Sequence, residues 1–325
     1  MIFYIAPDGE LYKLPFELLL NEKGKRLSDM YSVSYLSSGR DILRPENWNK
    51  SFEGYKSAAI LADPLYKLPD DIITQAEDDN KPDEHRGIIS RQSRDIHNTQ
   101  EELFKPLPFA EAEAAALDRI FNGKKEKRLK IDAKKYVLEK IGSHDIIHIS
   151  THGFAFEDNK FSEEDLKPIS MDIPNIRAED PLIRCGLAFA GVQNWLESDM
   201  KKPLKEYGDG ILNAKELLSL DLSNTDLLVL SACQTGLGEI KNGEGIKGLR
   251  RAFELTGVRS LICTLWSVDD LSSAILMERF YKYLLVDKMN KIQALSNAKD
   301  YVKKIETCLQ LLNYYKGKRF YKRSS

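Results

Sequence analysis

Two apolar runs constrain the fold of this chain more than any other feature: Leu227-Leu-Val-Leu230 and Leu261-Ile-Cys-Thr-Leu265. Neither alternates with polar residues, so neither reads as a strand with one face in water; each reads as a strand buried on both faces, the signature of a parallel sheet covered by helices. Helical patterns follow both. After the first, Ile246, Leu249, Ala252 and Phe253 mark a helix that stops at Gly257. After the second, Asp269 and Asp270 stand where an N-cap is wanted, and Leu271, Ala274, Ile275, Tyr281 and Leu284 carry the helix. Further strands are expected at Ile2–Ala6, Tyr31–Leu36, Ser57–Leu61 and Ile146–Thr151. Further helices are expected from Pro108 to Asn122-Gly123, over about Ala133–Lys140, after Asn213 as N-cap, and from about Lys291. The expected fold is α/β, a parallel sheet with helices on both faces, preceded by a smaller N-terminal α/β part.

Bulk properties narrow the function classes. A formal net charge of -2, from 48 basic and 50 acidic residues, gives no global attraction to nucleic acid or to a membrane surface. No apolar run approaches the roughly 20 residues of a membrane span, and the N-terminus lacks the basic and apolar regions of a signal peptide, so a cytoplasmic location is expected. Cys185, Cys233, Cys263 and Cys308 form no CxxC pair and no zinc-spaced cluster; neither a disulfide framework nor a metal or other cofactor is expected. Lys67–Lys105 is charged with little periodicity and reads as a long loop, with an acidic recognition segment as the alternative. The charged stretches Glu157–Pro181 and Glu197–Gly208 bracket an apolar, hairpin-like piece around Leu187–Val192 and read as insertions at the mouth of a site.

The chemistry-bearing residues lie at strand ends. The strand starting at Leu227 runs toward Cys233 and a glycine-rich turn, and the strand starting at Ile146 delivers His152 followed by Gly153. In an open parallel sheet the functional crevice lies beyond the carboxyl ends of the strands, so two residues 81 positions apart (233 − 152) can meet there. A His–Cys dyad follows as an expectation. The thiolate is the nucleophile, the imidazole favours its ionisation and later protonates the leaving amine, and the N–H groups of Gly153 and Cys233 are candidate oxyanion donors. The buried, inert cysteine is the plainer alternative.

Two other motifs carry less. His144, His148 and His152 recur every four residues, but along a strand each step is roughly 13 Å, too far for one metal ion. The glycines Gly236, Gly238, Gly243, Gly245 and Gly248 have the wrong spacing for a dinucleotide loop and read as a flexible substrate loop.

These residues also carry a resemblance. Ile149-Ser-Thr-His-Gly153, Ser231-Ala-Cys-Gln-Thr-Gly236, Gly243-Glu-Gly-Ile246, Leu265-Trp-Ser-Val-Asp-Asp270, Pro7-Asp-Gly-Glu-Leu11 and Leu14-Pro-Phe16 resemble the CHAT domain, a caspase- and separase-like peptidase family found mostly in bacteria. The resemblance implies a caspase-like fold and a regulated cysteine endopeptidase in signalling or defence, with His152 as general acid/base and Cys233 as nucleophile. It divides the chain into an N-terminal part, 1–105, a catalytic part, 106–315, and a basic tail, 316–325. Asp269, Asp270, Gln234 and Trp266 are the candidate substrate-binding residues, one of the two acids selecting a basic P1 side chain. The implied partners are a protein substrate and a sensor or regulatory protein, of which an upstream tetratricopeptide-type module absent from this chain is one form. A catalytically silent scaffold and a non-proteolytic thiol hydrolase are the alternative readings.

Overall fold

The computed structural model describes residues 1–8, 11, 14–36, 38–43, 54–73, 104–142, 144–155, 182, 185–197, 206–234, 244–264 and 268–305, with the backbone alone at 155, 233, 234 and 244–247. In chain order the strands are β1 Ile2–Ile5, β2 Ser32–Tyr35, β3 Ser57–Pro64, β4 Lys124–Lys130, β5 Ile146–Ala155, β6 Cys185–Ala188, β7 Ile211–Asn213, β8 Leu227–Gln234 and β9 Leu261–Cys263. The helices are α1 Leu27–Met30, α2 Ala110–Ile120, α3 Leu138–Ile141, α4 Val192–Glu197, α5 Ala214–Leu217, α6 Glu244–Leu255, α7 Asp270–Tyr281 and α8 Lys291–Lys303.

Contacts group the chain into two units, one of Tyr55–Leu107 with Lys124–Ser267, the other of Met1–Gly54, Pro108–Gly123 and Val268–Ser325. The units interleave along the chain, so residues 1–105 and 106–315 each contribute to both.

The first unit is built on a seven-stranded sheet. β4, β3, β5, β8 and β9 are neighbours in that order and all parallel. β6 runs antiparallel to both its neighbours, β5 and β7, and so adds an antiparallel strand to the expected parallel, helix-covered sheet. The reason lies in β5, which continues past His152 to Ala155 and, beyond the end of its pairing with β3, takes β6 as its neighbour. Leu187–Val192 is accordingly no hairpin: β6 pairs with β7, and Val192 opens α4.

Alternate residues send their side chains to opposite faces. Ile147 and Ile149 of β5, Leu228 and Leu230 of β8, and Leu187 of β6 share one core cluster with Leu138 and Ile141 of α3, Leu217 of α5, and Leu249 and Phe253 of α6. On the other face Phe154 and Ala188 pack with Val192, Trp195 and Leu196 of α4. Helices therefore cover both faces, as the unalternating apolar runs demand.

The second unit pairs β1 with β2 in parallel and packs α7 between α2 and α8. Leu271, Ala274 and Ile275 of α7 form its core with Tyr301 and Val302 of α8. Arg119 of α2 reaches Glu278 of α7 at 2.8 Å, and Arg279 donates to the Tyr301 hydroxyl at 2.8 Å while lying 4.0 Å from that ring's centre.

Candidate functional site

His152 and Cys233 are paired in register on adjacent parallel strands, β5 and β8. Register partners lie on the same face of a sheet, and neighbouring strands are about 4.8 Å apart, so the backbone brings the two positions as close as a sheet can. Gly153 stands opposite Gln234 on the same ladder.

The imidazole of His152 is held on several sides by its own unit. Its ring centre lies 5.0 Å from that of Tyr66 and 5.7 Å from that of Phe104. Its Nε2 is 2.7 Å from the carbonyl oxygen of Lys105. A carbonyl can only accept, so Nε2 carries the proton and, in the neutral ring, the lone pair falls to Nδ1. That is the state a general base must be in before it takes a thiol proton. The ring is 2% exposed, so its orientation is set by protein groups.

The other described histidines differ. His148 lies two pleats earlier on the same face, fully buried, and burial pushes its pKa down to about 3, so it stays neutral at any physiological pH. His144 rests its Nδ1 2.9 Å from the carbonyl of Ile141. Among the described residues no group of histidine, cysteine and acidic side chains could hold a metal ion.

The other described cysteines make poor nucleophiles. Cys185 is buried in the core cluster of β6, and burial pushes the Cys263 thiol up to about 11, so it stays protonated at neutral pH.

Gly153 lies inside a ladder, between Gln234 of β8 and Leu187 of β6. A methyl group added there would sit 3.6 Å from Ala232 Cβ and 3.8 Å from the Ala232 carbonyl oxygen, ordinary contact distances. Its neighbours among the described side chains thus give no packing reason for a glycine. Asp269 is the N-cap of α7, its Oδ2 accepting from Ser272 N at 2.8 Å and Ser272 Oγ at 2.9 Å, and Asp270 is the first residue of that helix. Both belong to the other unit. Trp266 and the glycine loop from Gly236 to Gly243 lie outside the described residues, as do most of Lys67–Lys105 and Glu157–Pro181.

Two contributors escape sequence reading. Tyr66 falls beside a stretch read as loop, and Lys105 acts through its backbone, which has no side-chain signature. No helix among the described residues is long and apolar enough to cross a membrane.

No curated protein matches the chain. The model of the CHAT domain family matches residues 3–308. With a helix-covered α/β sheet that sets Cys233 opposite His152 and a family match over nearly its whole length, the chain belongs to the caspase-like CHAT domain family.

Proposed function

We propose that the protein is a cysteine endopeptidase with His152 and Cys233 as its dyad. The observation that carries this reading is the register of β5 and β8, which puts Cys233 beside an imidazole already fixed as the Nε2–H tautomer by the Lys105 carbonyl. Nδ1 of His152 takes the thiol proton, and the Cys233 thiolate adds to the scissile carbonyl carbon. As the C–N bond breaks, His152 returns the proton to the leaving amine. Water then cleaves the thioester, and its proton passes through the same nitrogen to restore the thiol. Family membership supports a peptide substrate and control by a partner protein, in cytoplasmic signalling or defence.

A second reading draws on the 2% exposure of His152. A ring so enclosed also suits a catalytically silent scaffold that retains the residues for packing. The deciding experiment incubates wild-type and Cys233→Ala proteins with a peptide library or a proteome and maps new termini. Termini that appear with wild type alone support the peptidase; termini with both proteins, or with neither even in the presence of the cognate partner, reject it.

A further inference from the structure

The geometry points to Tyr66 as a positioning residue for His152, one that holds both the backbone and the ring of the proposed acid/base. The inference rests on the peptidase reading for its function but not for its geometry.

The sheet has a gap beside β5. On one side β5 pairs with β3 as far as Ser150, opposite Ala62, and with β6 only from Gly153, opposite Leu187. Thr151 and His152 therefore fall where one neighbouring strand has ended and the next has not begun. A buried backbone N–H at such a place needs an acceptor from elsewhere. The Tyr66 hydroxyl supplies it, accepting from His152 N at 3.2 Å. The same oxygen lies 3.1 Å from Thr151 Oγ1, and Thr151 Oγ1 donates onward to the carbonyl of Ala188 in β6. One phenol thus bridges the break in the ladder at the residue that carries the imidazole.

The ring of Tyr66 then acts on the side chain. The centres of Tyr66, Phe104 and His152 are mutually 5.0 to 5.8 Å apart, so the imidazole packs against two aromatic rings while Nε2 is tied to Lys105. Turning the ring to place Nδ1 toward Lys105 would lose that bond, and packing resists the turn.

Tyr66 is itself anchored through its backbone. Its carbonyl accepts from Gln193 N at 2.8 Å, the Leu65 carbonyl accepts from Gly191 N at 3.1 Å, and Asn194 Oδ1 accepts from Leu68 N at 2.6 Å. The anchor is the start of α4, a helix packed on the sheet itself.

The test uses the full chain labelled with ¹⁵N, as wild type, Tyr66→Phe and Tyr66→Ala, with His152 signals assigned by their loss in His152→Gln. Wild type is expected to show a neutral His152 ring protonated at Nε2 alone. Tyr66→Phe keeps that pattern but exchanges the His152 amide about tenfold faster or more, with the Ile149 amide changed less than about twofold. Tyr66→Ala shows both tautomers. In cleavage assays kcat falls about 10²-fold in Tyr66→Ala and about 5- to 10-fold in Tyr66→Phe, with KM nearly constant. Unchanged His152 exchange and tautomer in the variants, with only a lower melting temperature, would overturn the inference; if Tyr66→Ala does not fold, Tyr66→Phe exchange decides alone. The spectra need no substrate, so a wild type that cleaves nothing would sink the peptidase reading and leave Tyr66 to be judged by the spectra.

Discussion

The two ends of the central parallel strands both carry polar clusters, and they are built on opposite plans. At the amino end, Asp145 Oδ2 accepts from Lys56 N at 2.7 Å, Ser57 N at 2.9 Å and Ser57 Oγ at 3.1 Å. Asp226 Oδ2 accepts from the Tyr55 hydroxyl at 3.0 Å, and Asp226 N donates to the Asp145 carbonyl at 3.0 Å. Burial, with Asp226 alongside, pushes the Tyr55 phenol well above its usual range, so it remains a donor at every pH the protein meets. This end ties the starts of three strands together through carboxylates that accept from several donors. At the carboxyl end the protein fixes one nitrogen of His152 and sets the residue against Cys233. The first kind of cluster stabilises; the second, on the proposed reading, also serves the reaction.

That contrast can be broken by substitution. The largest expected effect is at the carboxyl end, where His152→Gln should lower cleavage by about 10³-fold or more, measured as kcat/KM, if proton transfer is its role. At the amino end Asp145→Ala should instead cost about 2–3 kcal/mol in urea unfolding, the scale of several hydrogen bonds to one charged group, with activity per folded molecule retained. A comparable loss of activity from Asp145→Ala would erase the distinction.

His148, between the two ends, sharpens it through pH. Its folded pKa of about 3 lies below the unfolded value of 6.5, so between these values the unfolded chain binds the extra proton. Stability is then full above about pH 6.5 and falls as the pH drops toward 3, at up to about 1.4 kcal/mol per unit. His148→Leu should remove about 2 kcal/mol of the stability difference between pH 7.5 and 5, read from urea midpoints; an unchanged difference would mean that the ring is solvated. The smallest effects compare two glycines. Gly186→Ala would drive its methyl to 2.6 Å from the Leu212 carbonyl oxygen and 2.7 Å from Phe154 Cζ and should cost about 1–3 kcal/mol. Gly153→Ala, with no contact under 3.6 Å among the described residues, should change stability by less than about 0.5 kcal/mol, so any loss of cleavage reports on substrate approach.

Legibility followed the range of the interactions. β8, α6 and the N-caps Asn213 and Asp269 were readable because a strand run or an Asx cap is written within a few residues. β4 was missed: Lys124–Lys130 has a single apolar residue, Leu129, and reads as a charged linker. Its largely exposed lysines are what a strand paired, among the described residues, with β3 alone tolerates. The extension of β5 to Ala155 was hidden because its partner β6 lies some thirty residues on and is antiparallel. Of the site, His152 and Cys233 showed in the sequence because strand ends and reactive side chains are local signals. The Tyr66 hydroxyl and the Lys105 carbonyl act at separations of 86 and 47 residues and carry no pattern.

The pairing of β5 with β8 also sets a timetable. A ribosome completes β3, β4 and β5 well before Cys233, which follows His152 by 81 residues (233 − 152). Closure of that long loop is among the slower events such a topology requires. A nascent chain that has folded its first three strands of the sheet therefore presents the His152 imidazole without Cys233, and the molecule gains its proposed dyad only when β8 enters the sheet.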